Sequence, residues 1–318
     1  MAGWIKFLIQ KMQLFVFGNC DNYLRRLLST HHRIVGVMAI EVGPDRERFL
    51  GPMLTSARQA KIPVWGPDDL FTPDFAVFLK SQQIDIAVSK GFQYRIPENI
   101  FSIPQLGTIN IHESLLPKYR SRHPINWAII NGEKATGLTI HKVDDGFDTG
   151  PILSQSGPVL IGPDDDFYSV YKKLNKAGER LLLDALELLE NGKASFVAQK
   201  NEDSSYFPQR RPEDGEIHWK KPAASIHNLI RALVLPCPGG YTKVNGRKWI
   251  IWETALEHAA SKAKNAVPGE IIERHPSKGA LVQTGRMGLW ICKVQCENSN
   301  IRMAYEVEDF KHGMVLGG

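Results

Sequence analysis

A chain of 318 residues with 43% apolar and 23% charged side chains is long enough to bury two separate cores and has none of the composition of a disordered segment. Its formal net charge of +5 is modest for a nucleic-acid binder, and four scattered cysteines, Cys20, Cys237, Cys292 and Cys296, are too few for a disulfide scaffold. They are read as reduced and structural.

The apolar run in residues 1–11 is broken by Lys6 and Lys11, is too short to span a membrane and lacks a small-residue cleavage site. It reads as an N-terminal extension ahead of Met12, and a cytoplasmic protein with no membrane partner is expected. From Gln13 the pattern is β-α-β: Leu14 to Phe17 as a buried strand, a helix capped by Asp21 and running to Leu28, then Ile34 to Ile40. Further units follow, with Pro63 to Trp65, a helix near Phe75 to Gln82, Ile84 to Val88, a turn near Pro97 to Phe101, and Thr108 to His112. Such alternation predicts an α/β fold, a Rossmann-like, mostly parallel sheet with helices on both faces. Gly18-Asn19-Cys20 offers one glycine where a dinucleotide fingerprint needs three, so NAD is not proposed.

Beyond Thr139 to Val143, another strand, residues 164–192 hold a helical pattern with Val170, Leu174, Ala177, Leu181, Leu182, Ala185 and Leu188 as its apolar stripe. Residues 194–212 read as an extended polar connector. One helix over Ala224 to Leu233 then gives way to short strands near Trp249, Gly269, Ala280 and Gly288, which suggest a small barrel. Cys292 and Cys296 would stand about 13 Å apart on such a strand and could not share an ion. No metal is expected.

Chemistry concentrates in Gly107 to Pro117 and in Asp145 to Gly150. If Thr108 to His112 is extended, Asn110 and His112 leave one face about 6 to 7 Å apart. An amide donor and an imidazole placed together suit a reaction in which a carbonyl oxygen gains negative charge. Asp148 would orient the imidazole and raise its pKa. An Asn-x-His on a strand is by itself more often a hydrogen-bonded rim pair, and Asp-Gly sequences are common turns; the wider pattern decides between the readings.

The run Asn110 to Arg120, then Pro124 to Trp127, Asn131-Gly132, Thr136 to His141 and Asp145 to Gly150 resembles the signature of the folate-dependent formyltransferase family, which includes methionyl-tRNA formyltransferase, the formyltetrahydrofolate hydrolase domain and the sugar N-formyltransferases. The likeness continues through Pro236 to Gly240 and Val307 to Leu316. It implies a catalytic domain over residues 12–205 and a smaller C-terminal OB-like β-barrel domain over 206–318, with 10-formyltetrahydrofolate as formyl donor. By the same resemblance Asn110, His112 and Asp148 are catalytic, while Tyr94, Arg95 and Ile96, with Asp144, Asp145, Gly146 and Phe147, hold the donor's pterin. Arg122 falls where sugar-modifying members place an Arg near the acceptor amine, and His123 is a secondary candidate beside it. Family members commonly carry Arg-Gly after the Leu-Leu-Pro, whereas Ser121 follows Arg120 here, a costly exchange if that residue has positive φ.

Charge bears on the acceptor. Residues 206–318 hold 16 Lys and Arg against 11 Asp and Glu, and the remainder balances at 23 against 23. Glu41 to Leu54 contains Asp45, Glu47 and two arginines, where tRNA formyltransferases of the resembling family carry a Lys/Arg-rich insertion. The expectation is therefore an N-formyltransferase acting on the primary amine of a small acceptor, a nucleotide-linked amino sugar, rather than on nucleic acid. Its rivals are a methionyl-tRNA formyltransferase, a 10-formyltetrahydrofolate hydrolase and a non-catalytic folate-binding module. An exposed strand in the second domain could pair two subunits in a homodimer.

Overall fold

The structure is a computed structural model that describes residues 11–257, 265–297 and 299–317; of the expected N-terminal extension, residues 1–10 lie outside the described ones. The chain divides into two compact units, the first formed by residues 1–121, 137–158 and 173–206 and the second by 122–136, 159–172 and 207–318.

In the first unit, β1 (Gln13–Gly18), β2 (Arg33–Met38), β3 (Val64–Trp65), β4 (Ile86–Lys90) and β5 (Thr108–His112) pair in parallel. The strands Thr139–Lys142 and Ile152–Gln155 extend this sheet in antiparallel fashion, giving the order β3-β2-β1-β4-β5 followed by those two. This is the Rossmann-like α/β arrangement the alternation predicts. β1 and β4 are buried almost throughout, as strands covered on both faces must be. On one face Phe15, Phe17 and Phe75 meet at ring-centroid distances of 4.8 to 6.3 Å and anchor α4 (Pro73–Ser81), whose first turn Thr72 caps through its side chain. Such capping is worth about 1 kcal/mol.

The long helix Phe167–Glu190 corrects the predicted stripe. Leu186 and Leu189 are buried while Leu188 is exposed, because the 3.6-residue period carries the inward face one position past the predicted stripe, to Leu189 in the last turn. Gly178 lies on this face where a Cβ would come within 2.0 Å of Tyr23 Oη, so only glycine admits the tyrosine. At α1 (Asp21–Leu28) the residue before the helix is Cys20, and Asp21 instead opens the first turn, its carboxylate 2.6 Å from Arg25 Nε.

The second unit is built on an antiparallel sheet running Gly240–Val244, Arg247–Leu256, Gly288–Cys296, Gly279–Gln283, Ile271–His275, with Arg302–Met303 paired to Gly288–Cys296. It fits the OB-like expectation in strand content. Helix Ala223–Ala232 covers its core, where Trp249 packs edge-on to Phe310 at 5.3 Å and Trp219 donates to Thr242 Oγ1 at 3.0 Å. None of the four cysteines is in a disulfide. Among the described residues no helix is long and apolar enough to cross a membrane.

Candidate active site

β5 carries Asn110 and His112 to the carboxyl edge of the sheet, the edge at which α/β folds bind ligands. The neighbouring strand Thr139–Lys142 is registered so that His141 stands directly opposite Asn110. A register shift between Ile140 and His141, against Ile152–Gln155, re-aims the backbone there, a common device beside active sites. The hairpin loop that follows returns Asp148 to the same point.

Four donors surround that carboxylate. Asp148 Oδ1 lies 3.3 Å from both Asn110 Nδ2 and His141 Nε2. Its Oδ2 accepts the Ser121 N–H at 2.9 Å and lies 3.5 Å from His112 Nδ1. Burial alone would raise the Asp148 carboxyl; the His112 and His141 imidazoles and the Ser121 N–H outweigh it and hold it well below the usual carboxylate range. Asp148 is thus a fixed negative charge.

The imidazoles are held from behind as well. His112 Nε2 donates to the Tyr119 carbonyl at 2.7 Å, so both its nitrogens face oxygens that only accept, a pattern an imidazolium satisfies and a neutral ring leaves half unmatched. His141 Nδ1 donates to the Lys142 carbonyl at 2.7 Å. Its Nε2 can then either accept from the Asn110 amide, 3.2 Å away, or carry a proton toward Asp148. One proton's position therefore decides how many Asn110 N–H bonds are left for a substrate oxygen.

The loop after β5 folds to supply these partners. Ser114 Oγ donates to the Lys118 carbonyl at 2.6 Å, and Thr139 Oγ1 donates to the Ser114 carbonyl while accepting the Leu116 N–H. Tyr119 and Ser121 take φ of 58° and 77°. Ser121 thus occupies the left-handed backbone expected to suit glycine, at a cost of about 1 kcal/mol, and in that conformation its N–H reaches Asp148. Asp148 itself sits at φ 56°. Glycine is obligatory at 150, where a Cβ would fall 1.9 Å from the Lys142 carbonyl oxygen.

A second layer fixes the first. Gln199 Nε2 donates to the carbonyls of Asp148 and Gly150 at 2.8 and 2.7 Å, and its Oε1 accepts from Arg120 Nε and Nη2 at 3.0 and 2.8 Å. Arg120 is almost fully buried and also donates to Asn201 Oδ1 and Tyr206 Oη. One glutamine joins the loop bearing Asp148 to the loop bearing Tyr119 and Ser121.

Of the residues expected to meet the formyl donor, Tyr94, Arg95 and Asp145 line one cavity of about 400 Å³, with Phe71, Pro97 and Glu98. Arg95 Nη2 donates to the Asp145 carbonyl at 2.7 Å and lies 3.3 Å from its carboxylate, which ties the two predicted loops together. Asp144 shapes the second loop by accepting from Gly146 N–H and Thr149 Oγ1; Phe147 is exposed. The Ile96 side chain belongs to the buried core, leaving its main chain for any ligand. Arg122 and His123, the expected acceptor residues, are exposed and open the second unit. His123, at φ 60°, directly precedes helix Pro124–Ile130.

Residues 10–186 match the formyl transferase family and residues 210–311 the formyl transferase C-terminal domain. The chain belongs to the formyltransferase family. Over 272 residues it is 38% identical to the methionyl-tRNA formyltransferase of Caldanaerobacter subterraneus subsp. tengcongensis, covering 83% of this chain and 85% of that relative. Its fold is shared with the N-formyltransferase of Helicobacter canadensis, solved with folinic acid and dTDP-3-aminofucose, at TM-score 0.66 and 24% identity over 88% of this chain and 98% of the other. WlaRD, a sugar 3N-formyl transferase solved in the presence of dTDP and 5-N-formyl-THF, gives 0.65 at 23% identity, covering 92% of this chain and all of its own. HypX from Aquifex aeolicus gives 0.63 at 18% identity over 93% of this chain, which spans only 47% of HypX.

In this formyltransferase, sequence reasoning missed His141 and Gln199 as parts of the site. His141 could have been found by pairing the two polar-apolar strands so that their polar residues oppose. Nothing in the sequence around Gln199 marks it.

Proposed function

We propose that this formyltransferase moves the formyl group of 10-formyltetrahydrofolate to the primary amine of a small acceptor, a nucleotide-linked amino sugar. The observation that carries the chemistry is the convergence of Asn110, His112 and His141 on the Asp148 carboxylate. The amine lone pair attacks the formyl carbon, and the bond from that carbon to the donor nitrogen then breaks. Negative charge gathers on the formyl oxygen, where the Asn110 amide is a hydrogen-bond donor and the His112 imidazole joins it by exchanging its Nε2 bond to the Tyr119 carbonyl for one to that oxygen; such donors are worth about 10² to 10³ in rate each. Asp148 holds the imidazole charge in place. It also offers a route for the amine proton, directly or through water, and the departing nitrogen takes a proton up.

The cavity beside Tyr94, Arg95 and Asp145 suits the donor. Its volume lies in the range of small-molecule sites, Phe71 and Tyr94 supply aromatic surface, and Arg95 a cation. Neighbours of the same fold carry folinic acid or 5-N-formyl-THF, which supports a folate co-substrate here.

For the acceptor, the position of Arg122 and the character of residues 41–54 favour a small molecule. That stretch contains the short helix α2 (Pro44–Leu50), with Arg46 and Arg48 offset by Glu47, a weak attraction for a polyanion. The 38% identity to a methionyl-tRNA formyltransferase favours a second reading, with charged initiator tRNA as acceptor. Tetrahydrofolate release from 10-formyltetrahydrofolate separates them when measured with amino sugar nucleotides, with methionyl-tRNA, and with no acceptor. Turnover confined to an amino sugar supports the first reading, and turnover confined to tRNA replaces it with the second. Equal rates without acceptor mean hydrolysis, and no release in any arm leaves a folate-binding module.

A further inference from the structure

Away from the carboxyl edge of the sheet, three metal-ligating side chains of the first unit meet. His31 and His32 stand in the turn between α1 and β2, and Glu190 ends the helix Phe167–Glu190. One ligand atom from each lies within 4.8 Å of the other two. His31 Nε2 is 2.7 Å from Glu190 Oε1, and the two imidazole centroids are 4.1 Å apart. We propose that these three residues form a binding site for a borderline divalent transition ion such as Zn²⁺, with water completing its coordination.

Two imidazoles and a carboxylate are a donor set that Zn²⁺, Ni²⁺ and Cu²⁺ favour and that Mg²⁺ and Ca²⁺ do not. Bonds of about 2.0 to 2.1 Å in a tetrahedral site put neighbouring ligand atoms about 3.3 Å apart. The His31–Glu190 separation of 2.7 Å falls below that value and the 4.8 Å limit for the set lies above it, so side-chain rotations that move the ligand atoms by about 1 to 2 Å bring the three to tetrahedral spacing. An ordinary His–Glu ion pair accounts for His31 but not for His32. The His32 Nδ1 is buried with no hydrogen-bond partner, an uncommon state for a ring nitrogen. The ion would join His31 and Glu190, 159 positions apart in sequence, and pin the end of the long helix to the amino-terminal edge of the sheet. This site is independent of the acceptor reading.

The test uses the whole chain, stripped with EDTA and titrated calorimetrically with ZnCl₂, with MgCl₂ as the hard-ion control. One Zn²⁺ per chain is expected, with a melting temperature raised by about 5 °C at a hundredfold excess over Kd. His31→Ala, His32→Ala and Glu190→Gln should each weaken binding by about tenfold or more. Formyl transfer by the stripped enzyme should be unchanged. Co²⁺ bound to the unaltered chain gives a readout that needs no variant: a visible spectrum of tetrahedral nitrogen and oxygen ligation supports the site. A thiolate charge-transfer band, which puts the ion on a cysteine, overturns it. So does the absence of Zn²⁺ binding, or binding that all three variants leave intact.

Discussion

Among the described residues, the first unit takes Lys90, His112, Arg120 and His141 out of water and encloses most of Asp148, whereas the polar side chains buried in the second are Asn126 and the threonines 136, 242, 254 and 284. Threonine hydroxyls can be satisfied by one or two neighbours, Thr242 by Trp219, Thr254 by the His227 ring and Thr284 by the Arg286 and Met287 carbonyls. The buried ions cannot. Burial alone would lower the Lys90 pKa, and its contact with Glu113, helped by Cys20, more than offsets that and keeps it charged. A charge held in low dielectric is expensive unless it is paired and fully hydrogen-bonded, so the first unit bears a cost the second avoids. The second unit is stabilised by apolar packing, while the first spends stability to keep a preorganised field at one edge of its sheet.

That contrast can be broken at its strongest point. Asp148→Asn should reduce the rate of formyl transfer by about 10³, measured as tetrahydrofolate release, while far-UV circular dichroism stays that of the parent. The substitution also has a pH signature. A carboxylate whose folded pKa is depressed contributes stability that is fully present above its unfolded pKa and is lost as pH falls toward the folded value. The stability difference between the parent and Asp148→Asn should therefore shrink on acidification below about pH 4; a constant difference from pH 7 to pH 3 would contradict it.

Phe310→Ala probes the other side. Phe310 is fully buried against Trp249, and its truncation should cost about 3 to 5 kcal/mol in urea unfolding and leave kcat unaltered below the melting transition. A large loss of kcat at full folding would erase the distinction between the units. Cys292 sharpens it: burial, with Glu253 nearby, pushes this thiol up to about 11, leaving about 100-fold less thiolate than an ordinary cysteine. Alkylation of Cys292 by iodoacetamide at pH 8, followed by peptide mass spectrometry, should be slower by that factor in the folded chain than in urea. The smallest effect is expected from Gln199→Ala, which unties Asp148 from Arg120. A kcat lowered by about tenfold with KM held, and no rescue in Gln199→Glu, whose carboxylate still accepts from Arg120 but cannot donate to the Asp148 and Gly150 carbonyls, would mark positioning, since a 1 Å misplacement can cost up to about 10²; equal changes in kcat and KM would not.

The same contrast explains what the sequence disclosed. Thr108–His112 matches its predicted bounds, and Asn110, His112 and Asp148 meet, because alternation and short motifs encode one strand and one loop. His141 became legible only with the antiparallel register beside β5, a pairing between segments that sequence order leaves open. Arg120 lies in a basic loop that suggests solvent, and its burial rests on Gln199, Asn201 and Tyr206, some 80 residues onward. The helices α2 and α3 (Met53–Gln59) were hidden for a simpler reason: their charges and prolines show no clean apolar stripe.

The register shift beside His141 bears on how this site tolerates change. Thr139 and Ile140 pair with Gln155 and Ser154, but His141 pairs with Ile152, so Leu153 is an uncounted residue in the ladder. It works as a frameshift between the sheet and the loop that carries Asp148. Deleting Leu153 would restore an even ladder and shorten the return path by one strand step, about 3.3 Å. That step is as long as the contacts Asp148 makes with Asn110 and His141. The surplus residue sets the reach of the loop that carries Asp148, and a deletion that looks harmless to the sheet would draw the carboxylate out of its ring of donors.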